Sequence, residues 1–249
     1  MEHIYKKVNV NYELEIAGES LFVFLHGWGS NLNLMKPLSS QFKDKSILLI
    51  DFPPFGKSDV EPTSPWNLDY YCNLTSEIIS IAKKILKDNG IAVKRIVLFG
   101  HSFGGRVAIK LAYMADFLVL ISSAGLKPRF SFKTKGKVLL YKFYKKIGSK
   151  KAGNFGSSDY KILSPVMKQT FNNIIAEDLS KICKHIEAKT LIVSGNLDTE
   201  TPLYMAKKLR KLIPNSTLVV IEGGDHFVYL KKPRETNLAI LNFLLGEDV

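Results

Sequence analysis

Ser102 stands inside Gly100-His101-Ser102-Phe103-Gly104, and Gly105 extends the run. The pattern G-x-S-x-G, between an apolar run and the start of a helical one, describes a sharp strand-to-helix reversal that strains the backbone at the serine. Small residues two before and two after let strand and helix close around it. The serine is left exposed at a helix N-terminus, where the backbone dipole favours developing negative charge. A plain turn is the alternative, but it would spend glycines the backbone does not need. A serine hydroxyl is a weak nucleophile without a base. The histidines are His3, His26, His101, His185 and His226. His226, in the run Glu222-Gly-Gly-Asp-His-Phe227, directly follows the last apolar strand run and falls at the same sheet edge as Ser102, so it is the candidate base.

Such a histidine needs an acid to fix its tautomer and to stabilise the imidazolium. Asp198 follows the apolar run 190–194, and Glu200, two residues on, competes with it. Asp198 is favoured because Pro202 opens the next helix and draws Glu200 toward its N-terminus. Asp225 adjoins His226 and would point elsewhere. Acyl transfer also needs hydrogen-bond donors for an oxyanion. The backbone N–H of Phe103, which follows the serine, is one candidate. The N–H of Trp28, in the loop His26-Gly27-Trp28-Gly29, is the other. His26 is expected to hold that loop by hydrogen bonds. The Trp28 ring either lines a pocket or covers the core.

These residues need strands and helices to bring them together. Runs 21–26, 46–51, 95–99, 117–122, 190–194 and 217–221 are short and apolar and read as buried strands. Helical spacing is expected over 68–89, where Asn89-Gly90 gives a C-terminal stop, over 102–114, over 203–212 and over 234–245. Residues 5–10 and 12–16 read as an antiparallel pair joined by a short turn. The alternation breaks from about 124 to 184. There, Val138, Leu140, Tyr141, Phe143, Tyr144 and Ile147 fall mostly on one helical face, and 159–173 and 177–185 also read as helical. The pattern is an open α/β sheet with a helical insertion, which in such folds sits over the carboxyl ends of the strands.

The runs HGWG at 26–29, DFPPFGKSD at 51–59, GHSFGG at 100–105, GNLDTETP at 195–202 and GGDHF at 223–227 together make the chain resemble the α/β-hydrolase superfamily over almost its full length. The order Ser102, Asp198, His226 is the one that family uses. The resemblance implies an eight-stranded, mostly parallel sheet, a core of residues 1–123 and 186–249, a helical cap over 124–185 and a Ser–His–Asp triad. It implies a carboxylesterase-like serine hydrolase acting on a small carboxylic ester. Two alternatives stay open: a C–C bond hydrolase or pyruvate-eliminating lyase, and a non-catalytic ligand receptor. Pro54 departs from the family's usual loop, which has glycine there. Asp51, Gly56 and Ser58 are expected to shape that loop without a catalytic role. Arg106, in the Gly104-Gly105-Arg106 triplet, is read either as a structural ion pair beneath the serine or as a substrate-binding residue.

The chain has 249 residues and a net charge of +12. Ten Lys/Arg and no Asp or Glu fall between Lys127 and Lys151, and outside that stretch 25 Lys/Arg face 23 Asp/Glu. The basicity therefore belongs to one segment. That segment reads as a solvated face whose lysine stems cover apolar surface, or as a steering field for an anionic substrate or a weak contact with an anionic surface. Nucleic acid is disfavoured, since no recognition motif accompanies the charge. Cys72 and Cys183 are far apart and read as buried free thiols. Neither a metal nor an organic cofactor is expected, and the oligomeric state is left open. No apolar run reaches the roughly 18 residues of a bilayer span and no signal-peptide block opens the chain, so a cytoplasmic location is expected.

Overall fold

Apolar side chains at every position of Leu21–Leu25 (LFVFL) demand cover on both faces of a strand. The computed structural model describes residues 1–58, 61–127, 160 and 163–245, and supplies that cover. Its strands are β1 (Glu2–Tyr5), β2 (Val8–Glu15), β3 (Ser20–Leu25), β4 (Ser46–Ile50), β5 (Arg95–His101), β6 (Phe117–Ile121), β7 (Lys189–Gly195) and β8 (Ser216–Ile221). They form one sheet in the order β1-β2-β4-β3-β5-β6-β7-β8. The pairs β1·β2 and β2·β4 are antiparallel, and every other neighbouring pair is parallel.

Residue parity divides the core in two. Leu21, Val23 and Leu25 of β3 join Leu98 of β5 and Leu118 and Leu120 of β6 on one face. That face is covered by α2 (Leu68–Asp88) and α3 (Phe103–Lys110), through Ile78, Ile79, Ala82, Val107 and Ile109. Phe22, Phe24, Val97, Phe99 and Val119 face the other way. They meet α1 (Lys36–Ser39) and α8 (Pro233–Leu245), through Leu38, Ile240 and Leu244. Phe24 and Phe99 are register partners on β3 and β5, and their rings stack 4.3 Å apart. The other α-helices with described bounds are α4 (Pro165–Ala176) and α5 (Ser180–Cys183) between β6 and β7, α6 (Leu203–Leu212), and α7 (Val228–Lys231). Cys72 and Cys183 are buried free thiols, and burial pushes each up to about 12.

The chain leaves β3 for β4 on one side and returns to β5 on the other. The carboxyl ends of β3 and β5 therefore flank the reversal in strand order, where open α/β sheets form their binding crevice. Gly27, Trp28 and Ser102 all sit just beyond those two ends.

Several expected elements shift. The N-terminal hairpin turns at Lys6–Lys7, where both residues have positive φ (46° and 70°), and not near residue 11. Asn11 stays in β2 because its side chain donates to Asp51 Oδ2 at 2.7 Å and its N–H to Ser58 Oγ at 2.6 Å. The helix expected over 102–114 is shorter: α3 stops at Lys110 and a 3-10 turn follows at Ala112–Met114. Of the helix expected over 159–173, the described part is α4, which starts at Pro165, where the Ser164 side chain accepts the Met167 N–H at the N-cap, and runs on to Ala176; 159, 161 and 162 lie outside the described residues. The one expected over 177–185 contracts to α5. The helical face proposed for Val138–Ile147 lies outside the described residues. No helix among the described residues is long and apolar enough to cross a membrane.

Candidate active site

The reversal after β5 is sterically exacting. Ser102 sits at φ 51° and ψ −112°, a strained conformation for a residue with a side chain. A Cβ on Gly100 would lie 2.6 Å from the Gly105 Cα, and one on Gly104 would lie 2.1 Å from the Leu25 carbonyl oxygen. Glycine at these places lets α3 start hard against β3 and β5, which forces the serine outward. Ser102 N–H donates to the Ile121 carbonyl, and its own carbonyl accepts from Gly105 and Ala124. The elbow is thus pinned by backbone on both sides.

The loops after β7 and β8 are laced to each other. Leu197 N–H donates to the Gly224 carbonyl at 2.9 Å, Gly223 N–H to Asn196 Oδ1 at 2.8 Å, and Asn196 Nδ2 to Glu222 Oε1 at 2.6 Å. This lacing brings His226 to Asp198: His226 Nδ1 donates to Asp198 Oδ2 at 3.0 Å. The same carboxylate accepts the N–H groups of Glu200 and Thr201 on Oδ1, at 2.9 and 2.8 Å, and the Thr201 hydroxyl on Oδ2 at 2.7 Å. Burial alone pushes the Asp198 carboxyl up. The bonds from His226 and Thr201 outweigh it and hold the group well below the usual carboxylate range. An ionised Asp198 fixes the proton on Nδ1 and leaves Nε2 free to accept one.

Nε2 turns toward Glu200 instead, whose Oε2 lies 3.4 Å away. The two acids weighed in the sequence therefore take opposite edges of one imidazole. Asp225 goes elsewhere, and its Oδ1 accepts the Phe227 N–H at 2.9 Å. His101 is buried beside His226, with ring centroids 4.9 Å apart. Its Nε2 donates to the His226 carbonyl at 3.0 Å. Burial pushes His101 down to about 3, so it is a neutral prop for the loop.

Ser102, His226, Glu200, Trp28 and Phe103 all line one cavity of about 290 Å³, together with Phe171, Ile174 and Ile175 of α4. Among the described residues, the N–H groups of Trp28 and Phe103 have no protein acceptor. Both are free to receive charge from a bound group. The Trp28 ring does both things considered for it: it lines the cavity and packs edge-on against Phe55, Phe103 and Phe171. His26 holds its loop as expected, donating from Nδ1 to the Gly27 carbonyl at 2.7 Å and accepting the Phe52 N–H on Nε2 at 2.8 Å.

Arg106 is buried beneath the elbow and touches the cavity. Its Nη2 does not meet a carboxylate. It donates to the Ile174 and Glu177 carbonyls at 2.8 and 2.7 Å, at the C-terminal end of α4, where exposed carbonyls attract a cation. Lys110, one turn on, reaches Glu177 Oε1 at 2.7 Å and Asp69 Oδ1 at 2.5 Å. Together they tie the elbow helix to the helix that walls the cavity. Thr201 is a further site residue that the sequence reading passed over. Its signal was a hydroxyl three residues after the acid, ahead of the proline that precedes α6.

The chain belongs to the alpha/beta hydrolase family, whose sequence profile matches residues 22–239. It is 25% identical to the AB hydrolase superfamily protein YisY of Bacillus subtilis, over 89% of this chain and 90% of that one. It is 28% identical to a pimeloyl-[acyl-carrier protein] methyl ester esterase of Wigglesworthia glossinidia brevipalpis, over 87% of this chain and 90% of the relative. In fold it is similar to an esterase of Exiguobacterium antarcticum, with a TM-score of 0.72, 20% identity and 95% of both chains covered. The eight-stranded, mostly parallel sheet with flanking helices is the fold of that family.

Proposed function

We propose that the protein is a serine hydrolase that cleaves a small carboxylic ester through an acyl-enzyme formed on Ser102. The observation that carries this reading is the paired placement at one cavity. A strained serine on its elbow faces the same space as a histidine whose other nitrogen is held by an ionised aspartate.

In this scheme Ser102 Oγ attacks the ester carbonyl and gives its proton to His226 Nε2. The Phe103 and Trp28 amides receive the oxyanion of the tetrahedral intermediate. His226 then protonates the departing alcohol. Water, losing a proton to the same nitrogen, attacks the acyl-enzyme and releases the acid. Asp198 keeps the imidazole in the tautomer that both halves need. The described part of the proposed cap 124–185 includes α4, which supplies the apolar wall against which an acyl chain packs. The name of the Wigglesworthia relative supports ester chemistry on an acyl chain.

The test is turnover of a short-chain p-nitrophenyl ester. The wild-type chain should show multiple turnovers, and S102A should lose roughly 10⁴-fold or more in kcat. Retention of activity in S102A would remove Ser102 from the mechanism. Saturable binding of the ester without turnover by the wild-type chain would favour a receptor instead.

A further inference from the structure

Glu200 has no task in the scheme above, yet it is the acid nearest the reacting edge of the histidine. Its backbone N–H is fixed on Asp198 Oδ1 at 2.9 Å. That contact leaves the side chain to swing out over the cavity, where it is 65% exposed and still brings Oε2 to 3.4 Å from His226 Nε2. The other charged groups around this imidazole are already committed. Asp198 lies on the opposite edge, at Nδ1. Asp225, on the same loop as His226, is turned to the Phe227 amide. His101 is neutral. Arg106, the other charged residue lining the cavity among the described residues, has its Nη2 on two carbonyls of α4. Arg106 keeps its positive charge on those neutral carbonyls beneath the elbow, so among the described residues Glu200 is the charged side chain set against the Nε2 edge of His226.

We propose that Glu200 determines the charge selectivity of this site: it disfavours esters that carry a negative charge near the scissile bond and favours neutral and cationic ones. This rests on the ester-hydrolysis reading of Ser102 and His226. A carboxylate on the substrate would lie within a few ångströms of Glu200, where like charges repel by an amount that solvent and salt screen, since Glu200 is largely exposed. A cationic group would be drawn to the same place. The attraction between Glu200 and the imidazolium formed during the reaction acts on every ester alike, so it drops out of the comparison between esters. The basic stretch 127–151 predicts the opposite sign, since ten positive charges would steer anionic esters toward the protein. The sign of the selectivity thus separates a local carboxylate from a distributed basic field.

The experiment compares kcat/KM for three matched p-nitrophenyl esters: butyrate, hemisuccinate and 4-(trimethylammonio)butyrate. They are measured with the wild-type chain, E200Q and E200K, with S102A as the blank. The hemisuccinate-to-butyrate ratio should rise roughly tenfold in E200Q at low salt, and further in E200K. The ratio for the cationic ester should fall in the same order. In the wild-type chain the hemisuccinate ratio should climb with added salt, because screening weakens the repulsion. Using ratios removes any general effect of the substitution on His226. If E200Q leaves the ratios within twofold of wild type while S102A is inactive, the proposal on Glu200 is overturned and the ester reading stands. A wild-type preference for hemisuccinate that E200Q does not change would likewise overturn it, in favour of the basic segment. If no ester is turned over, or if S102A matches wild type, the ester reading fails and the selectivity proposal falls with it.

Discussion

Two places in this molecule bring a serine, a histidine and an aspartate together at the carboxyl ends of strands, and they are built in opposite ways. In the first, Asp51 accepts the Leu32 N–H on Oδ1 at 2.7 Å, and the Asn11 amide and Lys57 N–H on Oδ2 at 2.7 and 2.9 Å. Ser58 Oγ donates to the Asp51 carbonyl at 2.8 Å and accepts the Asn11 N–H. Both nitrogens of His26 are bonded to backbone. All three residues are buried, and none lines the cavity. In the second, Asp198 is as fully bonded as Asp51, but its partner His226 keeps one nitrogen for the cavity, and Ser102 faces the same space. Residue types alone do not separate these two groups. The difference is whether hydrogen-bonding capacity is closed internally or left open beside a cavity with unpaired amides. The closed group locks the loops after β3 and β4, and the open group is left able to react.

Exchanging the aspartates gives the largest contrast. D198N should leave the fold intact and lower kcat for a p-nitrophenyl ester by roughly 10²–10⁴-fold, because an asparagine can stabilise the wrong tautomer and cannot stabilise the imidazolium. D51N should do the reverse. Its amide would set an N–H₂ against donors that now face a carboxylate, costing about 2–4 kcal/mol. That lowers Tm by roughly 5–15 °C, while kcat of the folded fraction stays within about threefold of wild type. Thermal melts and active-site-normalised kinetics on the two variants check both halves. A D51N protein with wild-type Tm and lost activity would erase the contrast.

A smaller effect sharpens the same comparison through pH. Burial lowers His26 to about 4, against an ordinary value of 6.5. The unfolded chain takes up a proton as pH falls through about 6.5, whereas the folded chain resists until about 4. The stabilisation from a neutral His26 is therefore complete above pH 6.5 and is lost as pH falls toward 4, at up to about 1.4 kcal/mol per pH unit. His101, pushed by burial down to about 3, adds a second loss with the same sign, which begins at the same pH and runs lower. Urea unfolding between pH 6.5 and 5 should show this slope, and H26N should reduce it by roughly half. A slope that H26N leaves untouched would mean that His26 is not held neutral.

Much of this was legible in the residues, and the exceptions share a cause. The central strands announce themselves because parallel strands buried on both faces need unbroken apolar runs. Ser102, Asp198 and His226 were legible because each closely follows such a run, so the sheet itself brings them to one edge. The Lys6–Lys7 turn was not, because neither lysine carries the glycine or asparagine signal for positive φ. Asn11, between the two expected strands, instead stays in β2 with its side chain on Asp51, 40 residues away in sequence. For Arg106 an ion pair and a substrate contact were both open; its Nη2 meets carbonyls 68 and 71 residues along the chain, a contact that depends on where α4 comes to rest. Glu200 could be weighed only as a rival to Asp198. Its place on the other edge of the imidazole depends on the path of a loop, and spacing alone does not reveal that path.

The central claim is that the open group reacts and the closed group does not. Labelling the folded protein with a fluorophosphonate and mapping the adduct by peptide mass spectrometry tests it most directly. The account predicts a single stoichiometric adduct on Ser102, absent in S102A and undiminished in S58A. An adduct on Ser58 or another serine, or labelling that survives in S102A, would contradict it.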